Sequence, residues 1–424
     1  MGEIYRAIWD ADQSGSGIKA IFDDMAGDAS DGFVKVAREA LRPGPVSSEV
    51  KLLGDVVIPQ NKARSYDLVR RLFNNYALDE KLTEVETPQE REEVHDLLEG
   101  IVETAPMQVA RLYVQEATGT TVTHERWYST LLELWFRPFM DGDRPSLSGF
   151  EHVFVGEQKG SVVNGYHFWY KYWLDDGFAS TMEDGPERFP GLKDDRIVYQ
   201  RSKENKGEDR FPESVTIGYQ WEAPDYERRA VRPLTKPTGG FFVGCSVEGL
   251  MAIGTVRAHL GARAPKEAVI NGARYDLKLF RSPDNQHVRT FYPMFLGAAD
   301  PQVVGDGAAS PSPAIVTGPV KIVAALVNPV GADPGSETVT LLNTGPTAIS
   351  LAGWRLVDKM RNHYEIADLV LKGGLAETVV LPAQTMQLSN KGGEIRLVDR
   401  TGQTVHVVSY SKQQAEREGE TLRF

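Results

Sequence analysis

The first 140 residues carry a helical pattern of apolar and polar positions. In "SYDLVRRLFNNYAL" and "REEVHDLLEGIVETAPMQVARLYV", apolar residues recur at spacings of three and four, and acidic residues are dense in the early turns. This spacing gathers the apolar side chains on one face of each helix. We therefore predict a helical lobe over residues 1–140.

The pattern changes after "FMDGDRPSLSG". Residues 141–298 contain short runs rich in β-branched and aromatic residues, separated by Gly, Pro and Asp, among them "HVFVGE", "GYHFWYKYW", "SVTIGYQW" and "VRTFYPMF". Such runs are typical of strands joined by tight turns. They predict a largely antiparallel β-rich lobe after the helical one, so that residues 1–298 form an α+β domain.

The remaining third of the chain has a different character. Residues 299–319 are rich in Ala, Gly, Pro and Ser and have no sustained periodicity, which predicts a linker. Residues 320–424 contain short strand patterns at close spacing with turn signals between them. That arrangement predicts an all-β sandwich, and a length of 424 residues agrees with more than one domain.

Composition restricts the class of protein. Hydrophobic residues make up 41% of the chain, and no apolar run is long enough to cross a bilayer. The N-terminal segment "MGEIYRAIWDADQSG" has no basic region followed by an apolar stretch. We therefore expect a cytoplasmic protein, or one exported without a recognisable signal peptide. The single cysteine, Cys245, excludes an internal disulfide, and we expect it to be a buried, inert thiol.

The net charge of −12 is unevenly distributed. Residues 316–424 hold 11 basic and 11 acidic residues, so the acidic excess lies upstream. A protein that coats a nucleic acid carries a broad basic face, and this chain has none. Any contact with a nucleic acid must be local. The run "RRAVRPLTK" at 228–236 is either a solvated face or part of such a contact.

Two of the eight histidines, His152 and His167, stand on either side of Lys159 and Gly160. If those two residues form the turn of a β-hairpin, the histidines lie directly opposite each other, with Cβ atoms roughly 5 Å apart. Strand alternation would then divide their neighbours between two faces: Trp169 and Lys171 with the histidines, Glu151 and Glu157 on the other side.

Two histidines can share proton transfers near neutral pH, one as a base and one as an acid. This suits RNA cleavage by the ribose 2′-hydroxyl, in which the base removes the hydroxyl proton and the acid protonates the departing 5′-oxygen. Lys236 is a candidate for the cation that stabilises the phosphate. Spacing alone leaves two alternatives open, a structural pair and a partial metal site, although the hairpin supplies no third zinc ligand.

Four motifs in order resemble those of the uridylate-preferring EndoU, or XendoU-like, endoribonucleases: "SGFEHVFVGE", "GYHFW", "KPTGGFFVG" and "VRTFYP". The segments "IWDADQ", "LFNNYALDE" and "LLELWFRPF" are similar to the helical half of that family, in the same order, so the resemblance covers about residues 4–298. It implies an EndoU-like fold, single-stranded RNA as the substrate, a preference for uridylate and a 2′,3′-cyclic phosphate product.

The resemblance also assigns roles to individual residues. His152, His167 and Lys236 match the family's catalytic triad, with His167 as the base and His152 as the acid. Glu151 and Glu157 match family glutamates tied to activity. The resemblance further implies a stimulatory Mn²⁺ ion, whose ligands it does not identify.

The nucleotide-binding motifs match with two departures. Thr290 and Tyr292 correspond to the Thr-x-Tyr residues that hold the nucleotide. Gly240 takes the place of a common Ser, which removes a hydroxyl that could bond the base, so we expect a weaker uridine preference than in relatives with Ser. Phe168 replaces a common Asn after the second histidine, which would loosen the orientation of that ring.

The C-terminal segment "VAALVNPVGADPGSETVTLLNTGPTAISLAGWRLVD" resembles a lamin tail domain, which implies an immunoglobulin-like fold. No catalytic constellation accompanies it, so we expect tethering or binding of a protein partner. The leading hypothesis for the whole chain is a metal-stimulated endoribonuclease. The alternatives are an RNA-binding protein with weakened catalysis, suggested by the two departures, and a scaffold that works through the sandwich.

Overall fold

The structure of the protein is a computed structural model. It describes residues 3–42, 50–177, 195–200, 202, 208–299 and 319–424, the last range without positions 332, 346, 361, 401 and 411. The chain divides into two compact units, Met1–Gly307 and Ala308–Phe424. The linker predicted over residues 299–319 lies almost wholly outside the described residues.

Helices dominate the first 140 residues, as predicted. The clearest local signal begins α4, where the hydroxyl of Thr87 accepts from the N–H of Glu90, the Glu90 carboxylate accepts from the N–H of Thr87, and Pro88 occupies the first turn. The helices of the N-terminal unit are α1 (Glu3–Gly15), α2 (Arg38–Leu41), α3 (Ala63–Arg71), α4 (Pro88–Ile101), α5 (Ala105–Thr118), α6 (His124–Leu131), α7 (Trp169–Asp175) and α8 (Val247–Leu260).

The helical lobe also contains a small sheet that the sequence pattern did not indicate. Its strands are β1 (Lys19–Phe22), β2 (Phe33–Val36) and β3 (Leu53–Val57), with β1 parallel to β2 and β2 antiparallel to β3. Strands of four or five residues are too short for periodicity to distinguish them from loops. The lobe is therefore mainly helical, as predicted, with a small sheet in addition.

Two larger sheets form the β-rich half and carry the candidate site. One has the order β6-β7-β10-β9-β8, with β7 parallel to β10 and the other pairs antiparallel. The other is antiparallel, in the order β11-β12-β13. The strands of this half are β4 (Phe139–Asp141), β5 (Arg144–Leu147), β6 (Glu157–Lys159), β7 (Val162–Asn164), β8 (Ile197–Gln200), β9 (Ser214–Asp225), β10 (Ala230–Phe242), β11 (Glu267–Ile270), β12 (Ala273–Arg281) and β13 (Val288–Ala298).

A hairpin exists near the predicted turn, but it does not contain the two histidines, so the prediction of a histidine hairpin was wrong. Lys159 pairs with Val162, so the turn consists of Gly160 and Ser161 rather than Lys159 and Gly160. The hairpin is only three residues long on each side, and neither histidine belongs to it. His152 lies in a π-helical turn, Glu151–Val155, and His167 lies in the segment between β7 and α7.

The run "GYHFWYKYW" is not a strand, because its second half forms α7. Trp169, Tyr170, Lys171 and Tyr172 are all buried there, so the helix is enclosed by protein on every side. A short run that is apolar at every position has the same appearance in a buried strand and a buried helix. The predicted placement of Trp169 and Lys171 on a strand face with the histidines was wrong for this reason.

One hydrophobic core joins the helical and β-rich halves of the N-terminal unit. Its members include Trp9 of α1, Trp127 of α6, Phe154 of the π-helical turn and Phe291 of β13. Helix α8 runs through this core with twelve of its fourteen residues buried. No helix within the described ranges has both the length and the apolar character needed to cross a membrane.

The C-terminal unit is a β-sandwich, as predicted. Two four-stranded antiparallel sheets, β20-β15-β14-β23 and β18-β17-β21-β22, enclose a separate hydrophobic core, and β16 pairs with β19. The elements are β14 (Val320–Leu326), β15 (Thr338–Asn343), β16 (Ile349–Ser350), β17 (Arg355–Asp358), β18 (His363–Glu365), β19 (Val370–Leu371), β20 (Ala376–Val380), β21 (Gly393–Val398), β22 (Thr404–Tyr410), α9 (Lys412–Ala415) and β23 (Thr421–Arg423).

Candidate active site

His152 is buried and has a carboxylate as its partner. Its Nδ1 lies 3.0 Å from Oε1 of Glu157, a side chain with no exposed surface. A carboxylate beside one ring nitrogen fixes the orientation of the ring, which leaves Nε2 for proton transfer. This contact also shows that Glu157 does not point away from the histidine, so its predicted place on the opposite face was wrong.

His167 has a different kind of partner. Its Nδ1 lies 2.8 Å from the carbonyl oxygen of Gly240 on β10. A carbonyl only accepts hydrogen bonds, so Nδ1 carries a proton and Nε2 of the neutral ring carries a lone pair. Burial holds the pKa of His167 well below its ordinary value, and the positive charges of Lys236 and His152 lower this pKa further. His167 is therefore neutral at neutral pH.

Lys236 lies in β10, where the register with β9 shifts between Lys236 and Gly239. Its Nζ donates to the carbonyl oxygens of Gly165, at 2.6 Å, and Val163, at 3.3 Å. Burial lowers its pKa to about 8, and the negative charge of Glu157 opposes that shift. The ammonium group is therefore charged at neutral pH but sits close to its titration range.

The two imidazole rings are neighbours although no hairpin opposes them. Their centroids are 6.3 Å apart, with an angle of 42° between the ring planes. The link is made by backbone hydrogen bonds, from the N–H of Tyr166 to the carbonyl of His152 and from the N–H of His167 to the carbonyl of Val153. Tyr166, with a φ of 64°, and Gly165, with a φ of 66°, form the left-handed turn that makes these bonds.

Strand β13 contributes Thr290 and Tyr292. The Tyr292 ring stacks on His167, with centroids 4.6 Å apart and an angle of 18° between the planes. Thr290 is 9% exposed, and within the part of the chain that the structure describes its Oγ1 has no hydrogen-bond partner. A buried hydroxyl without a partner is a candidate for a contact with a ligand.

A single cavity of about 450 Å³ brings most of these residues together. Six of the eight site residues predicted from the sequence line it. Its lining consists of His152, Asn164, Gly165, His167, Thr216, Lys236, Thr238, Gly239, Gly240, Phe280, Thr290, Tyr292, Pro293, Met294 and Phe295. Glu151 and Glu157 are not part of this lining; Glu151 begins the π-helical turn, and Glu157 begins β6.

The structure shows the surroundings of Gly240 and Phe168, the two residues that depart from the family motifs. Gly240 lines the cavity without a side chain, and its carbonyl group accepts from Nδ1 of His167. Phe168, which replaces the expected Asn, is buried against Phe154 at a centroid distance of 5.0 Å. The Gly240 carbonyl and the Tyr292 ring contact the His167 ring, so the groups that position this ring lie outside residue 168.

The glutamates behind His152 form a buried acidic group. Burial raises the pKa of Glu151 well above its ordinary value, and the nearby carboxylates of Glu84 and Glu157 raise it further. Burial likewise raises the pKa of Glu84 to about 8. Oε2 of Glu151 and Oε2 of Glu157 have no partner among the described residues. The carboxylates of Glu151 and Glu84 therefore retain protons more readily than exposed ones do.

Two of the four cations in the basic run at 228–236 have acidic partners. Arg228 pairs with Asp225 and Asp79, and Arg232 also pairs with Asp225. Of this run, only Lys236 lines the cavity. Lys236 is therefore the residue through which this run contributes a positive charge to the cavity.

Sequence reasoning missed several residues around the cavity. Phe280, opposite Thr290 in the β12–β13 pair, is 56% exposed and forms part of the rim. Thr216 lies opposite Gly240 in the β9–β10 pair. Tyr166 shapes the turn before His167. Strand alternation within the run "YDLKLF" could have placed Phe280 on the face of Tyr292, but only after the pairing was known.

The fold and the arrangement of His152, His167 and Lys236 agree with one class of enzyme. The family model described as Endoribonuclease XendoU matches residues 46–293, more than half of the chain, and the chain belongs to this family of EndoU-type endoribonucleases. The model of the Lamin Tail Domain matches residues 313–412, which cover most of the C-terminal sandwich.

Two relatives are similar over about half to nearly all of their length. The poly(U)-specific endoribonuclease-A of Xenopus laevis is 25% identical over 310 residues, which cover 72% of this chain and 96% of that protein. The uridylate-specific endoribonuclease EndoU of Drosophila melanogaster is 30% identical over 189 residues, covering 44% and 51%. A solved structure described as XendoU, a splicing independent snoRNA processing endoribonuclease, is 23% identical, with a TM-score of 0.49 over 70% of this chain and 97% of that one.

Proposed function

We propose that this endoribonuclease cleaves single-stranded RNA after uridylates, by attack of the ribose 2′-hydroxyl, and leaves a 2′,3′-cyclic phosphate. One observation carries the mechanism. The two histidines have different partners on Nδ1, a carbonyl for His167 and a carboxylate for His152. The carbonyl accepts from Nδ1 of His167, which leaves the lone pair of a base on Nε2. The carboxylate orients the His152 ring through Nδ1, which leaves Nε2 for the role of the acid.

In this mechanism Nε2 of His167 removes the proton of the 2′-hydroxyl, and the oxygen attacks the adjacent phosphorus. Nε2 of His152 donates a proton to the departing 5′-oxygen. Lys236 stabilises the negative charge that grows on the nonbridging oxygens. The Glu157 carboxylate holds the His152 ring, and the Gly240 carbonyl holds the His167 ring, so both are oriented before the substrate binds.

The proposed uridylate preference is supported by the relatives, which are described as poly(U)-specific and uridylate-specific endoribonucleases. In this chain the Tyr292 ring offers a surface on which a base can stack. Stacking alone accepts any base, so the preference requires a polar contact as well. The cavity wall next to Gly240 is the place for that contact.

We also propose that Mn²⁺ stimulates cleavage. The described residues contain no group of three or more His, Cys, Asp or Glu side chains that could hold a metal ion. The two unpartnered glutamate oxygens behind His152 do not complete such a set. We therefore assign no step of the reaction to the ion, and a titration of Mn²⁺ after EDTA treatment measures its effect on the rate.

The proposed reaction is tested with purified protein and a short RNA that contains one uridine. We expect one cleavage, directly 3′ of the uridine, and a product whose mass corresponds to a cyclic phosphate. A matched RNA with 2′-deoxyuridine at that position should remain intact, because it lacks the attacking hydroxyl. Cleavage of the deoxy substrate, or a product with a free 3′-hydroxyl, would rule out this mechanism. Binding of RNA without cleavage would instead favour the RNA-binding alternative.

A further inference from the structure

A threonine lies opposite Gly240 in the cavity wall. Thr216 on β9 is the register partner of Gly240 on β10, and both residues line the cavity. Directly opposed residues of an antiparallel pair share a face of the sheet, with Cβ positions roughly 5 Å apart. A base bound in the cavity against Gly240 therefore lies within reach of the Thr216 side chain.

The hydroxyl of Thr216 is held by a buried carboxylate. Its Oγ1 donates to Oε1 of Glu208 at 2.5 Å, and the N–H of Thr216 donates to Oε2 of the same carboxylate at 2.7 Å. Glu208 is 1% exposed. The two-point contact fixes the direction of the hydroxyl proton. Since a hydroxyl has one proton, Oγ1 can meet a ligand only as an acceptor.

An acceptor at this position distinguishes the two pyrimidines. Uracil carries a hydrogen on N3, whereas N3 of cytosine carries a lone pair. A fixed acceptor therefore bonds uracil and faces a second acceptor in cytosine. In a site shielded from water such a mismatch leaves polar groups unpaired, which strongly disfavours the wrong base.

We propose that Thr216, held as an acceptor by Glu208, selects uridine over cytidine by accepting a hydrogen bond from N3 of the base. This inference rests on the proposed uridylate-preferring cleavage. Thr216 supplies a hydroxyl in place of the one that Gly240 lacks. Tyr292 holds the base by stacking, and Thr216 reads its edge.

The test compares kcat/KM for two oligoribonucleotides that differ only in U or C at the cleavage position. Thr216→Val keeps the shape of the side chain and removes the hydroxyl, and we expect the U-to-C ratio to fall at least about tenfold. Thr216→Ser should retain the wild-type ratio. Thr238→Val is the matched comparison, because it removes another hydroxyl of the cavity, one that lies 3.0 Å from the hydroxyl of Ser202. We expect it to keep the ratio.

A second variant, Glu208→Gln, should reverse the direction of the hydroxyl. The glutamine carbonyl can accept from the N–H of Thr216 while its amide donates to Oγ1. That arrangement frees the hydroxyl proton to face the base. We expect the ratio to shift toward cytidine, an outcome that a purely structural role of Glu208 does not produce.

The outcomes separate this inference from the proposed function. If the wild type does not cleave RNA, or cleaves after U and C equally, the proposed uridylate-preferring reaction fails and the inference fails with it. If the wild type prefers uridine and Thr216→Val has the same ratio, the inference alone is overturned. Unequal ratios for Thr216→Val and Thr216→Ser, with only the first reduced, support it.

Discussion

Replacing Gly165 by alanine tests whether the turn before His167 sets the geometry of the catalytic groups. A Cβ atom at this position would overlap the carbonyl oxygen of His152 and would lie 2.8 Å from Cδ2 of the same residue. Real Cβ atoms essentially never approach other atoms closer than 3.0 Å. The backbone that carries His152 must therefore move, by on the order of 1 Å.

The expected loss follows from two separate costs. Gly165 has a φ of 66°, a left-handed conformation that costs an alanine about 1–2 kcal/mol of stability. The displacement of His152 adds a kinetic cost, because a misplacement of about 1 Å lowers an enzymatic rate on the order of 100-fold. Gly165 also accepts the hydrogen bond of Lys236, so the same shift disturbs the cation.

Gly160 provides the matched control. It also has a left-handed φ, 61°, but a Cβ atom there would meet nothing within 4 Å. Gly160→Ala should lose a similar amount of stability through its backbone and keep its kcat. Urea unfolding and single-turnover cleavage of a uridine-containing RNA measure the two quantities. Equal rates for the Gly165→Ala and Gly160→Ala proteins would refute the reasoning, since only the first introduces an overlap with His152.

Four further predictions concern the reacting groups and the extent of the enzyme. His152→Ala and His167→Ala should each lower kcat by about 10²–10⁴-fold without unfolding the protein, and a near-normal rate for either would contradict the acid and base roles. The ammonium of Lys236, with a pKa of about 8, loses its charge as the pH rises above 8. We therefore expect the rate of Lys236→Arg to fall less between pH 8 and 9.5 than that of the wild type, and parallel pH profiles would refute this. Gly240→Ser should raise the preference for uridine, because it adds a hydroxyl that can bond the base. The serine needs only a small adjustment to fit, since its Cβ would lie 3.2 Å from a carbonyl oxygen. Cleavage rates after U, C, A and G measure the preference, and an unchanged preference would count against this prediction. A chain ending at Ala299 should retain its activity on short RNAs because every residue lining the cavity precedes that position, and a folded but inactive truncation would show otherwise.

Much of the site's chemical content could be predicted from the sequence. The ordered motifs identify His152, His167, Lys236, Thr290 and Tyr292, and the structure places all five around one cavity. Features that depend only on residues close together in the sequence can be predicted from it. The capping box that begins α4 is an example. The acidic excess of the N-terminal part and the sandwich pattern of the C-terminal part are also properties of composition and local spacing.

The geometry of the histidines was decided by tertiary structure. Strand alternation placed both rings on a hairpin, whereas His152 lies in a π-helical turn and α7 begins just after His167. Their proximity comes from long-range hydrogen bonds of the backbone to a left-handed turn at Gly165 and Tyr166. A buried apolar run has no local feature that distinguishes strand from helix, because what encloses it is remote in the chain.

The protonation states likewise belong to the folded protein alone. In the sequence His152 and His167 are equivalent, and each has an aromatic or β-branched residue beside it. Folding brings the carboxylate of Glu157 to one ring and the carbonyl of Gly240, 73 residues away, to the other. Burial and the charge of Lys236 then lower the pKa of His167. The sequence determined which groups are present, and the tertiary structure decided which partner each histidine has, because charge, solvent exclusion and hydrogen-bond partners depend on distances in space.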